Sequence, residues 1–200
     1  VSNGHKVAIC EQMEDPKQAK GIVKREVIKV VTPGTNLNSQ ALDETKNNYL
    51  MSIVYLGDVL GVAIADYSTG DFFVTEIETG AELIDEINKF VPSEIILNEY
   101  FAMSGIDLTF ILEKLSISVS TLENWYFDDD SCKAKLKEHF HVNMLDGLGI
   151  KDYPVGIDAA GALLIYLTQT QKSDMSHITS IVPYTTGKYM LIDSSSRRNL

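Results

Sequence analysis

The chain has 200 residues, 44% hydrophobic and 22% charged, the balance of an ordinary globular sequence of one or two domains. Its longest apolar run, Ala159 to Leu167, is far short of the roughly 18 residues that a membrane-spanning helix needs, so no membrane partner is expected. A formal net charge of -11 argues against a free-standing nucleic-acid binder that relies on a basic surface.

The charge is unevenly placed. Residues 1–35 carry Lys6, Lys17, Lys20, Lys24, Arg25 and Lys29 against Glu11, Glu14, Asp15 and Glu26, whereas the remainder holds 24 of the 28 acidic side chains. Any polyanion contact is therefore expected in the first block. Cys10 and Cys132 are too few and too far apart for a disulfide scaffold, and no charged-then-apolar leader opens the chain, which suggests a reducing, cytoplasmic setting. The abrupt start and the end at Asn199-Leu200 suggest a segment of a longer protein.

In chain order, Val7 to Cys10 reads as a short buried strand. Asp15-Pro16 reads as a helix cap with Pro at the first helical position, stopped by Gly21 after about one turn. Ile22 to Val31 is β-branched and strand-like, and Pro33-Gly34 turns the chain into a polar linker, Thr35 to Asn48. Three apolar runs follow, Leu50 to Leu56, Leu60 to Tyr67 and Phe72 to Ile77. Gly57-Asp58 and Ser68 to Asp71 separate them, which predicts an antiparallel meander. Ala81 to Phe90 places Leu83, Ile84, Ile87 and Phe90 on one helical stripe that Pro92 ends. Glu94 to Leu97 is a buried strand. A helix near Ile106 to Leu115, a strand near Ile117 to Thr121 and a helix near Ser131 to Phe140 come next. The break at Asp146 to Gly149 precedes a long buried helix, Ile157 to Gln169, with Asp158 as its cap and Ala159 to Ala162 allowing close approach of a neighbour. Met190 to Asp193 reads as one more strand, and Ser194 to Ser196, before Arg197-Arg198, as the cap of a further helix. A meander followed by alternating helices and strands gives an α/β domain with a mixed sheet of about five strands flanked by helices, similar to the RNase H-like arrangement.

Three groups of residues are candidates for chemistry. Asp66 ends a buried strand, where an RNase H-like nuclease holds a metal; two metals about 3.5 to 4 Å apart need convergent carboxylates, for which Asp71, Glu76 and Glu94 are possible partners. The same Asp-x-Ser-x-Gly pattern is also ordinary turn chemistry. His139 and His141 with Cys132 and Asp128 to Asp130 lack a zinc spacing and read better as an acidic turn capping a helix with Ser131. Lys24, Arg25 and Lys29 are candidate DNA-backbone contacts, with Arg25 and Lys29 expected to share a strand face, or else they protect a solvated strand edge. No phosphate-cradling Gly-rich loop and no Ser-His-Asp spacing is present.

The stretch VAICEQMEDPKQAKGIVKREVIKVVTPGT closely resembles the end of the mismatch-recognition domain of the bacterial MutS family of DNA mismatch repair proteins. GVAIADYSTGDFFVTE and PSEIILNE resemble strands of that family's connector domain, and GIDAAGALLIYLTQTQ with IDSSSRRNL the start of its core domain. The resemblance implies a mismatch-domain remnant at residues 1–35, a non-catalytic RNase H-like connector at 36–150 and the start of a helical core domain at 151–200. It implies a part of a mismatch-binding ATPase that couples recognition to the ATPase domains and is not itself an enzyme. ATP and Mg2+ would be cofactors of the full-length protein only, because the nucleotide-binding motif and the Phe-x-Glu mismatch-reading motif are not found in this chain. Implied partners are mismatched double-stranded DNA, a MutL-type repair protein and a second copy of the full-length protein. Lys133 and Lys137, four apart on one helix, are the expected partner surface. The linker Thr35 to Asn48 and Leu145 to Gly149 are the expected hinges, being poor in apolar side chains. The alternative is a metal-dependent RNase H-like nuclease using Asp66.

Overall fold

A computed structural model describes residues 1, 5–14, 21–36, 47–173 and 175–186. Strands β1 (Val7–Gln12) and β2 (Arg25–Val31) form an antiparallel ribbon, followed by a 3-10 turn at Pro33–Thr35. Strand β1, expected to be buried, is exposed along its whole length, because it belongs to a two-stranded sheet and not to the layered core. A meander of β3 (Tyr49–Leu56), β4 (Val59–Asp66) and β5 (Phe72–Ile77) leads into α1 (Gly80–Phe90), β6 (Glu94–Asn98), α2 (Thr109–Leu115) and β7 (Ser118–Leu122). Helices α3 (Asp129–Phe140) and α4 (Pro154–Gln171) and the short β8 (Val182–Pro183) complete the described elements. The mixed sheet runs β7-β6-β3-β4-β5-β8. Its β3, β4 and β5 are antiparallel, β6 and β7 continue parallel to β3, and β8 is parallel to β5. The one-turn helix expected after Asp15, the strand Met190 to Asp193, the cap at Ser194 to Ser196 and the middle of the polar linker lie outside the described residues.

Local chemistry accounts for the punctuation. Gly57 and Asp58 both take positive φ, as a two-residue hairpin between right-twisted strands requires. Helix α1 starts at a reciprocal cap: Thr79 Oγ1 accepts the Glu82 N–H at 3.2 Å and the Glu82 carboxylate accepts the Thr79 N–H at 3.1 Å. It ends at Val91, which is left-handed just before Pro92.

Because side chains alternate along a strand, the sheet has two apolar faces. Met51, Ile53, Val62 and Ile64 pack with Leu83 and Ile87 of α1 and Ile111 of α2. Leu50, Val54, Ala63, Ala65 and Val74 pack with α4, which α3 covers from outside. Helix α4 is buried around almost its whole circumference because it is enclosed between the sheet and α3. Helix α4, expected from sequence in a following helical unit, therefore packs in the sheet's own core.

Two glycines permit that position. A Cβ on Gly61 would sit 2.1 Å from the Val155 carbonyl oxygen, so the first turn of α4 rests on bare β4 backbone. A Cβ on Gly161 would sit 2.3 Å from Cys132 Cβ, so the small residues expected to admit a neighbour admit α3. Glu76 of β5 supplies the helix cap, its Oε1 accepting the Val155 and Gly156 N–H groups at 2.6 and 2.9 Å. Asp158 is thus not the cap: α4 begins four residues earlier, at Pro154. Nor is Leu145 to Gly149 poor in apolar anchors, since it forms a 3-10 turn with Leu145 and the following Ile150 both buried.

Asp158 is instead buried against α3 with its Oδ1 unpartnered. Burial, then the negative charge of Asp129 beside it, push its carboxyl up to about 7, with Lys133 opposing. An unfolded Asp titrates near ~4. Between these values the folded chain holds a proton that the unfolded chain releases, so stability falls as pH rises through the window and the loss is complete above it. Asp158→Asn should raise the melting temperature at pH 8 and leave it near that of the parent at pH 4; thermal denaturation at both pH values measures this. Gly61→Ala should destabilise the chain by about 3 kcal/mol or more through overpacking against backbone, read as a lower denaturant midpoint at unchanged slope.

Candidate functional site

The described residues converge most strongly where the β1/β2 ribbon meets the sheet. Glu94 opens β6 with no solvent exposure, and a buried carboxylate must be compensated by donors. Its Oε2 accepts the Gly34 N–H at 3.2 Å, and its Oε1 accepts the Tyr166 hydroxyl of α4 at 2.6 Å. Lys6 Nζ lies 3.4 Å from the same Oε1 and 4.9 Å from the Tyr166 ring centroid. Burial and the Glu94 charge push the Tyr166 hydroxyl far up, so it stays protonated and donates.

The turn that reaches Glu94 is shaped for that contact. Pro33 fixes the entry, and Gly34 has no Cβ, which would lie 3.0 Å from Leu50 Cβ and 3.3 Å from Glu94 Cβ. The Thr32 N–H donates to Thr35 Oγ1 at 3.0 Å across the turn. Asn48 donates through Nδ2 to the Pro33 and Asn36 carbonyls at 3.1 and 3.3 Å, while its Oδ1 accepts the Ser93 hydroxyl at 2.5 Å. From the end of α4, Gln171 Nε2 donates to the Val30 carbonyl at 3.2 Å. Both ends of the polar linker, Thr35 and Asn48, are therefore buried and bonded.

The four carboxylates considered for metal ions are not brought together. Asp66 sits opposite Tyr49 and Glu94 opposite Leu50, adjacent residues of β3, so the two point to opposite faces of the sheet. Asp66 Oδ1 accepts the Ser68 N–H and hydroxyl at 2.7 and 2.5 Å, and its Oδ2 accepts the Asn48 N–H at 3.1 Å. Glu76 is occupied at the start of α4, and Asp71 is exposed on the β4–β5 turn. Nothing in this arrangement favours the nuclease alternative.

The basic candidates are separated by an irregularity invisible to simple alternation. Ile9 pairs with Lys29 but the next residue, Cys10, pairs with Val27, so β2 carries an extra residue at Ile28. Arg25 pairs with Gln12 and shares the Cys10 face, whereas Lys29 shares the Ile9 face. The single face expected of Arg25 and Lys29 does not exist. Lys29 Nζ lies 5.8 Å from the Tyr67 ring centroid, on the sheet side of the ribbon. Lys24 precedes β2 and pairs with Glu26 at 2.7 Å; the hydrogen bond to that carboxylate raises its ammonium.

On α3, Lys133 is 2.6 Å from Asp129 one turn earlier, and Lys137 is exposed on the same side. Asp128 caps this helix by accepting the Ser131 N–H at 3.0 Å and its hydroxyl at 2.7 Å, as expected. Cys132 is buried between the helices, its thiol 3.3 Å from the Tyr126 and Asp158 carbonyls. His139 is 2.7 Å from the Ile178 carbonyl, and burial holds it below the ordinary imidazole value. His141 forms the left-handed cap of α3.

Sequence patterns pointed to Glu94 only as a metal partner and did not single out Lys6, Asn48, Tyr166 or Gln171. The one available signal is an acid opening the apolar run Ile95 to Leu97.

Two family models match the chain, MutS domain II over residues 48–179 and MutS domain I over residues 1–40. The DNA mismatch repair protein MutS of Lachnoclostridium phytofermentans is 57% identical over 200 residues, covering 100% of this chain and 22% of the relative. Those of Ruminiclostridium cellulolyticum and Alkaliphilus metalliredigens are 47% and 43% identical, again over 100% of this chain and 23% of each relative. The chain thus spans less than a quarter of the length of the curated relatives it matches. The Glu94 joint links the two matched segments, tying Gly34 of the first to β6 and α4 of the second. The chain belongs to the MutS family, with MutS domain II at residues 48–179 and a match to MutS domain I at residues 1–40.

Proposed function

We propose that this chain is the connecting part of a DNA mismatch repair protein, transmitting the state of a mismatch-recognition domain to ATPase domains of the longer protein. The observation that carries this reading is the Glu94 joint, where one buried carboxylate holds both the exit turn of the domain I segment and helix α4 of domain II. Coupling needs a contact that differs between states, and a charge shared by two domains supplies one. In this reading the fragment is not an enzyme. ATP and Mg2+, mismatched duplex DNA, a MutL-type repair protein and self-association belong to the longer protein, in the cytoplasm.

The RNase H-like description of domain II is supported by its strand order. The first strand of a three-strand meander is central, with two parallel strands added on its other side. The engaged oxygens of Asp66 support a connector in place of a nuclease. The handover from the mismatch domain is at Pro33–Asn36, and the handover to the core domain lies beyond α4, because α4 is packed in the connector's own core.

Two surfaces follow. Arg25 and Lys29 contact the DNA backbone from different faces of the ribbon, with Lys24 tempered by Glu26. Lys133 and Lys137 of α3 face the MutL-type partner.

A chimera in which this chain replaces the matching segment of the Lachnoclostridium phytofermentans relative should restore a low mutation rate to cells lacking MutS. A rate as high as in those cells would sink the reading. In that chimera, Arg25→Glu or Lys29→Glu should weaken duplex binding for all sequences alike and lower the salt slope by about 1 for each phosphate no longer neutralised; unchanged affinity removes the residue from the interface. Lys133→Glu with Lys137→Glu should weaken capture of the MutL-type partner, and undiminished capture excludes that face.

A further inference from the structure

The outer strands of the chain are guarded to different degrees. An open strand edge presents main-chain N–H and C=O groups that template another strand, and proteins blunt it with charges, proline, bulges or very short strands. The β1/β2 ribbon carries Glu11 on one strand, Arg25, Glu26 and Lys29 on the other, and the extra residue at Ile28. The six-stranded sheet ends on one side in β8, which is two residues long and contains Pro183. On its other side it ends in β7, whose sequence SVSTL has neither charge nor proline and whose pairing with β6 is regular throughout. Among the described residues, β7 is the one outer strand with none of these devices. The Ser118 N–H donates inward to the Ser93 carbonyl at 3.2 Å, so by alternation the N–H and C=O groups of Val119 and Thr121 point away from β6. No described main-chain group meets them there. Val119 lies opposite Ile95 on the face that α1 and α2 cover, yet it is 37% exposed.

We propose that β7 is a docking edge for a second copy of this chain, the two β7 strands pairing antiparallel about a two-fold axis at Ser120. This does not rest on the coupling reading above. In that register Val119 of each copy lies opposite Thr121 of the other, and each such pair exchanges both N–H···O=C bonds. The outward groups of the edge thus complement themselves. Ser120 alone meets its own counterpart, in a non-hydrogen-bonded pair, and a small hydroxyl that both donates and accepts tolerates an identical neighbour. Any extended segment would satisfy the main-chain groups. Self-pairing also needs a strand without charge and a small residue on the axis, and β7 meets both conditions. The contact is small, so the dimer is weak, and because each copy carries a net charge of -11 it strengthens as salt screens their repulsion.

Cysteine trapping reads that register directly. Exposed Cys10 is first replaced, Cys10→Ser, which leaves only the fully buried Cys132. In this background Ser120→Cys should form a disulfide-linked dimer under mild oxidation, because opposed Cα atoms in a non-hydrogen-bonded antiparallel pair are about 4.5 Å apart. Thr121→Cys, exposed and one residue away, should link about tenfold more slowly or less, since the two copies of that position are offset along the strands beyond the roughly 7 Å that a disulfide spans. Sedimentation velocity in the same background should show a dimer that grows with protein concentration and with salt. Ser120 is half-buried at the sheet edge, so a charge placed there reaches water and the fold is kept. Ser120→Lys and Ser120→Glu should each abolish the dimer, and an equimolar mixture of the two should restore it, because opposite charges then face each other across the axis. Equal linking of Ser120→Cys and Thr121→Cys overturns the proposal. So does a parent chain that stays monomeric at high concentration and high salt, or a mixture of the charged variants no more associated than either alone.

Discussion

A carboxylate with no access to water is the constraint around which the two matched segments are arranged. Taking such an ion out of water costs several kcal/mol even after relaxation, and the cost is offset only where donors converge on it. Glu94 finds them in three places distant in sequence: Lys6 before β1, the Gly34 amide after β2 and the Tyr166 hydroxyl in α4. Each donor fixes the position of the element that carries it. The exit turn must pass close over Leu50, which is why residue 34 is a glycine, and α4 must lie with Tyr166 over the start of β6.

The other bonded acids of the sheet follow the same logic. Asp66 holds the β4–β5 turn with one oxygen and the chain entering β3 with the other, and half-buried Glu76 receives the buried amides at the start of α4. A nuclease would gather such carboxylates into one cavity to hold cations. Here they are dispersed over both faces and opposite ends of the sheet, and each serves as an acceptor for main-chain N–H groups that would otherwise be buried without a partner. An acid in a strand of this domain is a fastening between segments.

Much of the fold was legible because its signals are local. The hairpin at Gly57-Asp58, the stripe of α1 ending before Pro92 and the cap of α3 at Asp128 and Ser131 each involve residues within a few positions of one another. What was hidden depends on partners far along the chain. An apolar helix such as α4 declares that it is buried and not against what, so its place on the sheet waited on Gly61 and Glu76, some 80 to 95 residues earlier. The extra residue at Ile28 leaves no mark in an alternating β-branched run, yet it reverses the relation of Arg25 to Lys29. The Glu94 joint was the least legible of all, because a single acid before an apolar run gives no indication of the three donors that converge on it.

The seating of α4 on β4 also bears on how the chain is made. Gly61 and Val155 touch backbone to backbone, so one whole face of the sheet, from Leu50 to Val74, has nothing to pack against until about a hundred further residues have left the ribosome. The face toward α1 is covered much sooner. During synthesis the domain passes through a stage with one finished side and one bare apolar side, the kind of surface on which chaperones act and nascent chains stick to one another. Substitutions that slow the docking of α4 would lengthen that interval and lower the yield of protein without touching any residue that meets DNA.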